Sequence, residues 1–413
     1  MSENLYYSTS LNRSVREPKK LTLIFLLIVI VISCQLTDIT IGPVKFWELL
    51  AIVFFPFFIK KIEKKILWFF FAFTVLLVFS VLKGVISPIH YEYFSTLKSK
   101  YVISFVRYVE LLLCLIVALL PFNLVKRSNV DFRFITNKFL TYNAIFTMLV
   151  LFLYAVDFIL KTSIVSYGSV HRLRGFYVEG GPYGLYISTL VFLELTIFKR
   201  KKHIAIFLIA LFLTQSKAGF VAFFIFLFFS FFQNNKLLRG FLNPKNMIRF
   251  GLSLCIVAII GVGATYKIAN NYFQDIQNID EEIKGRENDS SLVMGRIAAS
   301  DIGPRIFQDN PFFGVGLGAY SLVRNNVNYR GAFPVVNGWD LTGLGGFFNL
   351  LVENGVLGVL IFVFAIKKYY KLDFVGGYFL LLFVLPFILG AQLYMVYPWL
   401  YLGLYYAFKR QTQ

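Results

Sequence analysis

The chain is a succession of apolar runs separated by short basic connectors, and most of the runs are near the length of about twenty residues that crosses a bilayer. They fall at residues 21–33, 45–59, 66–87, 103–122, 139–160, 183–198, 204–214, 218–232, 250–266, 347–366, 374–390 and 398–408. A soluble chain carries about 25% charged residues; this one carries 15%, with 58% hydrophobic residues and a mean hydropathy of +0.69. The pattern predicts an all-α polytopic integral membrane protein with about twelve transmembrane helices. Residues 1–413 form a single membrane domain in this reading. No small-residue cleavage site follows 21–33 and further spans do, so that run reads as a first membrane helix rather than a signal peptide. The weakest pair of spans flanks Gln215-Ser216-Lys217, where 204–214 is short for a crossing. The abundant phenylalanines are ascribed to codon composition and lipid contact, with no function built on them.

Charge gives an orientation. The alternate connectors 1–20, 60–65, 123–138, 199–203, 234–249, 367–371 and 409–413 hold most of the 41 Lys and Arg residues. By the positive-inside rule these face the cytoplasm, and both termini lie inside. The net charge of +19 is then a matter of topology, and no nucleic-acid partner is expected. Cys34, Cys114 and Cys255 all sit inside apolar runs, which argues against a disulfide framework. His90, His171 and His203 are scattered, so no metal site is expected.

Two connectors on the outward side break the charge bias. Residues 161–182 include Arg172 and Arg174, followed by Glu179-Gly180-Gly181-Pro182. Residues 267–341 form a large loop before the last spans, with Arg286, Arg296, Arg305, Arg324 and Arg330. Structureless loops beyond about fifteen residues are uncommon in compact domains unless they are functional or disordered. The apolar Ile302, Ile306, Phe307, Phe312 and Phe313 predict that the loop is partly helical and packed over the membrane domain. Basic residues kept on the outward side point to a bound anion, and the Arg fork suits phosphate oxygens. Arg172, Arg174, Lys217, Arg296 and Arg305 lie beside Gly, Pro or a span, and are the candidates. Arg286, Arg324 and Arg330 read as solvated surface charges paired with nearby acids such as Asp275, Asp280 and Asp289. Arg107 and Glu110 share one helical face inside a span, where charges are rare and tend to pair or line a cavity; a structural pair and a site both remain open.

Four stretches carry a resemblance. One is Arg172-Leu173-Arg174-Gly175-Phe176 with Glu179-Gly180-Gly181-Pro182. A second is Thr214-Gln215-Ser216-Lys217-Ala218-Gly219. A third is Gly295-Arg296 leading to Pro311-Phe312-Phe313-Gly314-Val315-Gly316-Leu317-Gly318. The fourth is Leu350-Leu351-Val352-Glu353-Asn354-Gly355-Val356-Leu357-Gly358. Together, over roughly residues 140–370, they resemble the O-antigen polymerase and ligase superfamily of bacterial membrane glycosyltransferases.

The resemblance implies a GT-C-like architecture with the large loop on the periplasmic face of the inner membrane. It implies substrates carried on undecaprenyl diphosphate, a bilayer environment, an acceptor hydroxyl, inverting transfer with release of undecaprenyl diphosphate, and no cofactor. A chain-length regulator protein is a possible membrane partner. Such chemistry needs a cationic cradle for the diphosphate, where negative charge grows as the glycosyl bond breaks. It also needs a base near the acceptor hydroxyl. Arg172, Arg174, Lys217, Arg296 and Arg305 are assigned to the cradle. Ligases of the superfamily have a His before the last motif, whereas this chain has none after His203. Asp340 and Glu179 are the candidate bases, and Glu353 reads as a helix-packing residue. The expected function is an O-antigen or capsular repeat-unit polymerase; the alternatives are a ligase of the same superfamily and a lipid-linked oligosaccharide flippase.

Overall fold

The computed structural model describes residues 17–42, 44–54, 64–86, 99–128, 130–167, 171–232, 296–331, 333, 335, 343–370 and 374–411. The first half supplies helix α1 (Glu17–Gln35), a hairpin of β1 (Thr40–Ile41) and β2 (Val44–Lys45), then α2 (Phe46–Val53), α3 (Leu67–Ile86), α4 (Lys100–Ser128) and α5 (Phe132–Leu160). A second hairpin, β3 (Ser166–Tyr167) and β4 (Arg172–Leu173), leads to α6 (Gly180–Leu193), α7 (Lys201–Thr214) and α8 (Lys217–Phe232). The loop region holds α9 (Arg296–Asp309), α10 (Tyr320–Val323) and α11 (Val327–Arg330). The chain closes with α12 (Gly346–Tyr369), α13 (Phe374–Ile388) and α14 (Val396–Gln411). The fold is helical as expected, apart from the two antiparallel hairpins, each pairing two residues with two.

Five helices are long and apolar enough to cross a membrane: residues 64–86, 100–125, 132–160, 180–198 and 346–369. Residues 22–35, 217–230 and 375–388 form shorter apolar helices. The span expected at 45–59 begins as α2, which is eight residues long; its remainder lies outside the described residues, as does the run 250–266. The weak pair around Gln215 is two separate helices. Gln215 takes a left-handed conformation (φ 50°) and ends α7.

Some phenylalanines pack in the interior, while others, Phe70, Phe152 and Phe158 among them, are exposed on the outside of the helices. Trp399 on α14 is fully buried, with Phe69 and Phe73 of α3, Phe362 of α12, and Phe383 and Phe387 of α13 around it at 4.9–6.1 Å. Most of these pairs are edge-to-face, the geometry that the ring quadrupoles favour. Elsewhere glycine allows helices to touch. A Cβ on Gly219 of α8 would stand 2.7 Å from the Gly184 backbone of α6, the close approach that small residues permit inside membranes.

The described part of the large loop, from residue 296 on, packs against the bundle. Ile302 and Ile306 of α9 are fully buried in a cluster with Ile103, Val315, Tyr320 and Val352, in line with the packing expected of them. Phe312 and Phe313 depart from that expectation: they are 65% and 44% exposed. The backbone turn beside them is what docks, so their rings are left on the outside.

Candidate active site at the loop end of the bundle

The centre of this end is a helix that breaks and is repaired by another segment. At Gly355 the backbone of α12 has φ 64° and ψ −170°, a region open essentially to glycine alone. The break lies about two and a half turns into α12, and it frees amides and carbonyls that a bilayer cannot satisfy. The Pro311–Leu317 stretch supplies their partners. The amides of Val356 and Leu357 donate to the carbonyls of Pro311 (2.9 Å) and Phe312 (3.2 Å). The amides of Val315 and Gly316 donate to the carbonyls of Val352 (3.3 Å) and Glu353 (2.6 Å). Positive φ at Gly314, Gly316 and Gly318 bends the stretch to fit. Its far end is tied to the bundle: the Leu317 amide donates to Ser80 Oγ of α3 (2.7 Å), and Ser104 Oγ of α4 donates to the Leu317 carbonyl (2.7 Å). The third and fourth sequence motifs are thus two halves of one re-entrant joint.

Charged groups line the floor under this joint. Arg107 of α4 abuts the turn, since a Cβ on Gly318 would lie 2.7 Å from Arg107 Cγ. Its guanidinium donates to Glu110 (2.5 Å) and covers the Tyr394 ring at 4.2 Å. Lys45 Nζ reaches the other Glu110 oxygen at 3.1 Å, and the same Tyr394 ring at 4.7 Å. Glu48, three residues on, accepts from the Lys45 amide at 3.1 Å and caps α2. Lys45 Nζ also lies 3.9 Å from Glu48, so two carboxylates flank it. Glu353 of α12 faces the cluster from the turn side. It is 3% exposed and accepts from the Tyr320 amide at 3.4 Å.

A second corner gathers the first and second sequence motifs. Arg172 donates through Nε to the Thr214 carbonyl (3.3 Å) and through Nη2 to the Gln215 carbonyl (3.4 Å). It closes the carboxyl end of α7, a place where a cation is favoured. Ser216 caps α8 by accepting from the Gly219 amide (2.9 Å), and donates to the Gly181 carbonyl (3.0 Å). Lys217 starts α8 beside it and is exposed. Glu179 is exposed at the start of α6. Arg174 donates to the Ser163 carbonyl at 3.1 Å. The loop that bears it is anchored by Asp38, whose Oδ2 accepts from the Val178 amide at 2.7 Å. Burial pushes the Asp38 carboxyl up, while Lys45, that amide, Thr37 and Arg174 draw it back. Asp38 therefore feels the charges of both Arg174 and Lys45.

Of the residues expected to act, Arg172, Arg174, Lys217 and Glu179 share this corner. Arg305 stands apart on α9, paired with Asp301 at 2.7 Å and lying against Gly331; no hydrogen bond or ion pair joins it to Arg174. Arg296 is the first residue of α9. Asp340 and Arg286 lie outside the described residues. Arg324 requires correction. It is 1% exposed, because α10 turns it into the loop's own core, and so it is no solvated surface charge. Glu353 is buried like a packing residue, yet its carboxylate is engaged by the turn. Lys45, Glu48, Asp38 and Tyr394 were not singled out by sequence reasoning. The carboxylate of Glu48 at the head of an apolar run was a usable signal. Among the described residues no group of three or more His, Cys, Asp and Glu side chains is placed to hold a metal ion.

Residues 203–363 match the model of the O-antigen ligase family. This match supports the resemblance to the O-antigen polymerase and ligase superfamily. No curated protein matches it. The matched segment runs from the first turns of α7 into α12, so it takes in the Ser216 turn, α9 to α11 and both halves of the re-entrant joint. The re-entrant joint lies within the matched segment.

Proposed function

We propose that the protein is a polymerase that transfers an undecaprenyl-diphosphate-linked glycan onto the next lipid-linked repeat unit, at the periplasmic face of the inner membrane. The observation that carries this reading is the re-entrant joint of the family-matched segment, set against Arg107, whose partner Glu110 also binds Lys45. A lipid diphosphate arriving from the bilayer meets cations held at that depth by the fold. Negative charge that develops on the leaving diphosphate is stabilised by donors fixed in advance. Arg172 and Arg174, with Lys217 at the head of α8 and Arg296 and Arg305 on α9, are further members of the cradle, and Glu179 and Asp340 remain the candidate bases. The polymerase is preferred to the ligase because no His follows His203.

The test is reconstitution. Purified protein in liposomes is given undecaprenyl-diphosphate-linked repeat units. Growth of the glycan on the lipid is the expected result. Transfer of the glycan to a lipid A core acceptor identifies a ligase, and movement across the bilayer without bond formation identifies a flippase; either outcome removes the polymerase reading.

A further inference from the structure

Glu353 has a chemistry that the packing of its surroundings does not require. The re-entrant turn is already fixed to α12 by the backbone bonds from Val315, Gly316, Val356 and Leu357, and to α3 and α4 through Ser80 and Ser104. The Tyr320 amide needs an acceptor, and a neutral side-chain oxygen would serve it as well as a carboxylate. Yet the residue is an acid, 3% exposed, inside a helix long enough to cross a membrane. Taking a carboxylate out of water is costly unless a partner offsets it. An ionisable group at such depth marks function by default, once its partner is named. The partner here is Arg107. The Gly318 amide, the Arg107 charge and the Asn349 side chain all face the Glu353 carboxylate, and Arg107 itself lies against Gly318. Arg107 pairs with Glu110 (2.5 Å) and also acts electrostatically on Glu353, the residue of α12 that accepts from the Tyr320 amide just past Gly318.

We propose that Glu353 is a positioning residue for glycosyl transfer, its charge holding Arg107 and the Gly318–Tyr320 backbone in register beneath the bound diphosphate. The inference rests on the glycosyl-transfer reading and goes beyond it by giving a buried acid a role that acts through Arg107. A displaced cation lowers the rate of transfer more than it lowers donor affinity, since a shift of about 1 Å in a catalytic group can cost about 100-fold.

The experiment compares wild type, Glu353→Gln and Glu353→Asp in liposomes supplied with undecaprenyl-diphosphate-linked repeat units, with thermal unfolding measured on the same preparations. Gln keeps an oxygen for the Tyr320 amide and loses only the charge. Glu353→Gln is expected to unfold at or above the wild-type temperature, and to fall about 100-fold in rate at saturating donor with KM changed by less than about threefold. Glu353→Asp is expected to recover part of that rate. An active wild type with Glu353→Gln at the wild-type rate overturns the inference alone. So does a Glu353→Gln protein that unfolds at lower temperature, or one whose loss lies in KM, because either makes the residue structural or a simple binding group. A wild type that forms no glycosidic bond removes the glycosyl-transfer reading and this inference with it.

Discussion

Asp157 is fully buried near the end of α5, and four donors converge on it: Thr162 Oγ1 (2.6 Å) and the amides of Ile164 (2.9 Å), Val165 (2.8 Å) and Ser166 (2.9 Å). It shapes the loop that presents Arg172 and Arg174. Asp157→Ala leaves those donors without an acceptor, and is expected to destabilise the protein by about 3 kcal/mol, seen as a lower unfolding temperature in detergent. Arg324→Lys is expected to lower the unfolding temperature too, because its planar fork is buried and Lys cannot reproduce it. For the cradle, Arg174→Lys and Arg305→Lys are each expected to reduce polymer formation by about 100-fold with normal expression, since charge remains and the bidentate fork is lost. Lys161→Arg, at an exposed position of the same end, is the control and is expected to match wild type. Polymer made at the wild-type rate by both cradle variants would show these arginines to be surface charges. The residue scale was only half legible in sequence. Arg172, Arg174, Glu179 and Lys217, which the structure places at one corner, were singled out because they flank span ends and glycines. Arg324, Asp38 and Lys45 were not, because burial of a charge is a property of the partner segments, which a single linear pattern does not display.

At the scale of elements, most helices were legible and the most consequential feature was not. The apolar runs at 66–87 and 347–366 correspond to α3 and α12 within a few residues, while α4 (Lys100–Ser128) and α5 (Phe132–Leu160) extend beyond the runs at 103–122 and 139–160. The break inside α12 is invisible to hydropathy, since Gly355 lies in an apolar stretch that reads as one helix. Its partner was visible only as a cluster of glycines, which marks a turn without saying where the turn docks. The joint makes a sharp prediction. A methyl group at Gly355 meets the backbone of Phe312, and one at Gly314 meets the backbone of Glu353 and Asn354. Both positions also need positive φ. Gly355→Ala and Gly314→Ala are therefore each expected to abolish accumulation of folded protein. By contrast, Gly377→Ala on α13 has open space around the new Cβ and is expected to accumulate normally. Quantitative blotting of membrane fractions, with gel filtration in detergent, reads all three.

On the scale of the whole molecule, the hydrogen bonds define two unlike ends. One holds the hairpins, the Ser216 turn, the re-entrant joint and the floor of charges. The other is marked by the π-turn at Glu194–Phe198, where the fully buried Glu194 carboxylate takes Arg200 Nε at 3.1 Å and lies 2.7 Å from His203 Nδ1. Arg200 also donates to Asn137 and Thr141 of α5 (2.5 and 3.0 Å). Arg200 is thus folded inward to tie α5 to the end of α6, while Lys199, Lys201 and Lys202 stay exposed around it. Three exposed lysines in one short connector are what the positive-inside rule expects of the cytoplasmic side, and the reaction proposed above requires the joint on the other side. The buried state of Cys34 and Cys114 lets new cysteines report with little background from those two. A Cys at Lys161, exposed beyond α5, is expected to react with a membrane-impermeant maleimide in intact spheroplasts. A Cys at Lys201 is expected to react only after the membrane is opened. Labelling of Lys201→Cys in intact spheroplasts, with none at Lys161→Cys, would invert the molecule, put the joint and its cations in the cytoplasm, and leave a periplasmic glycosyl transfer without a site.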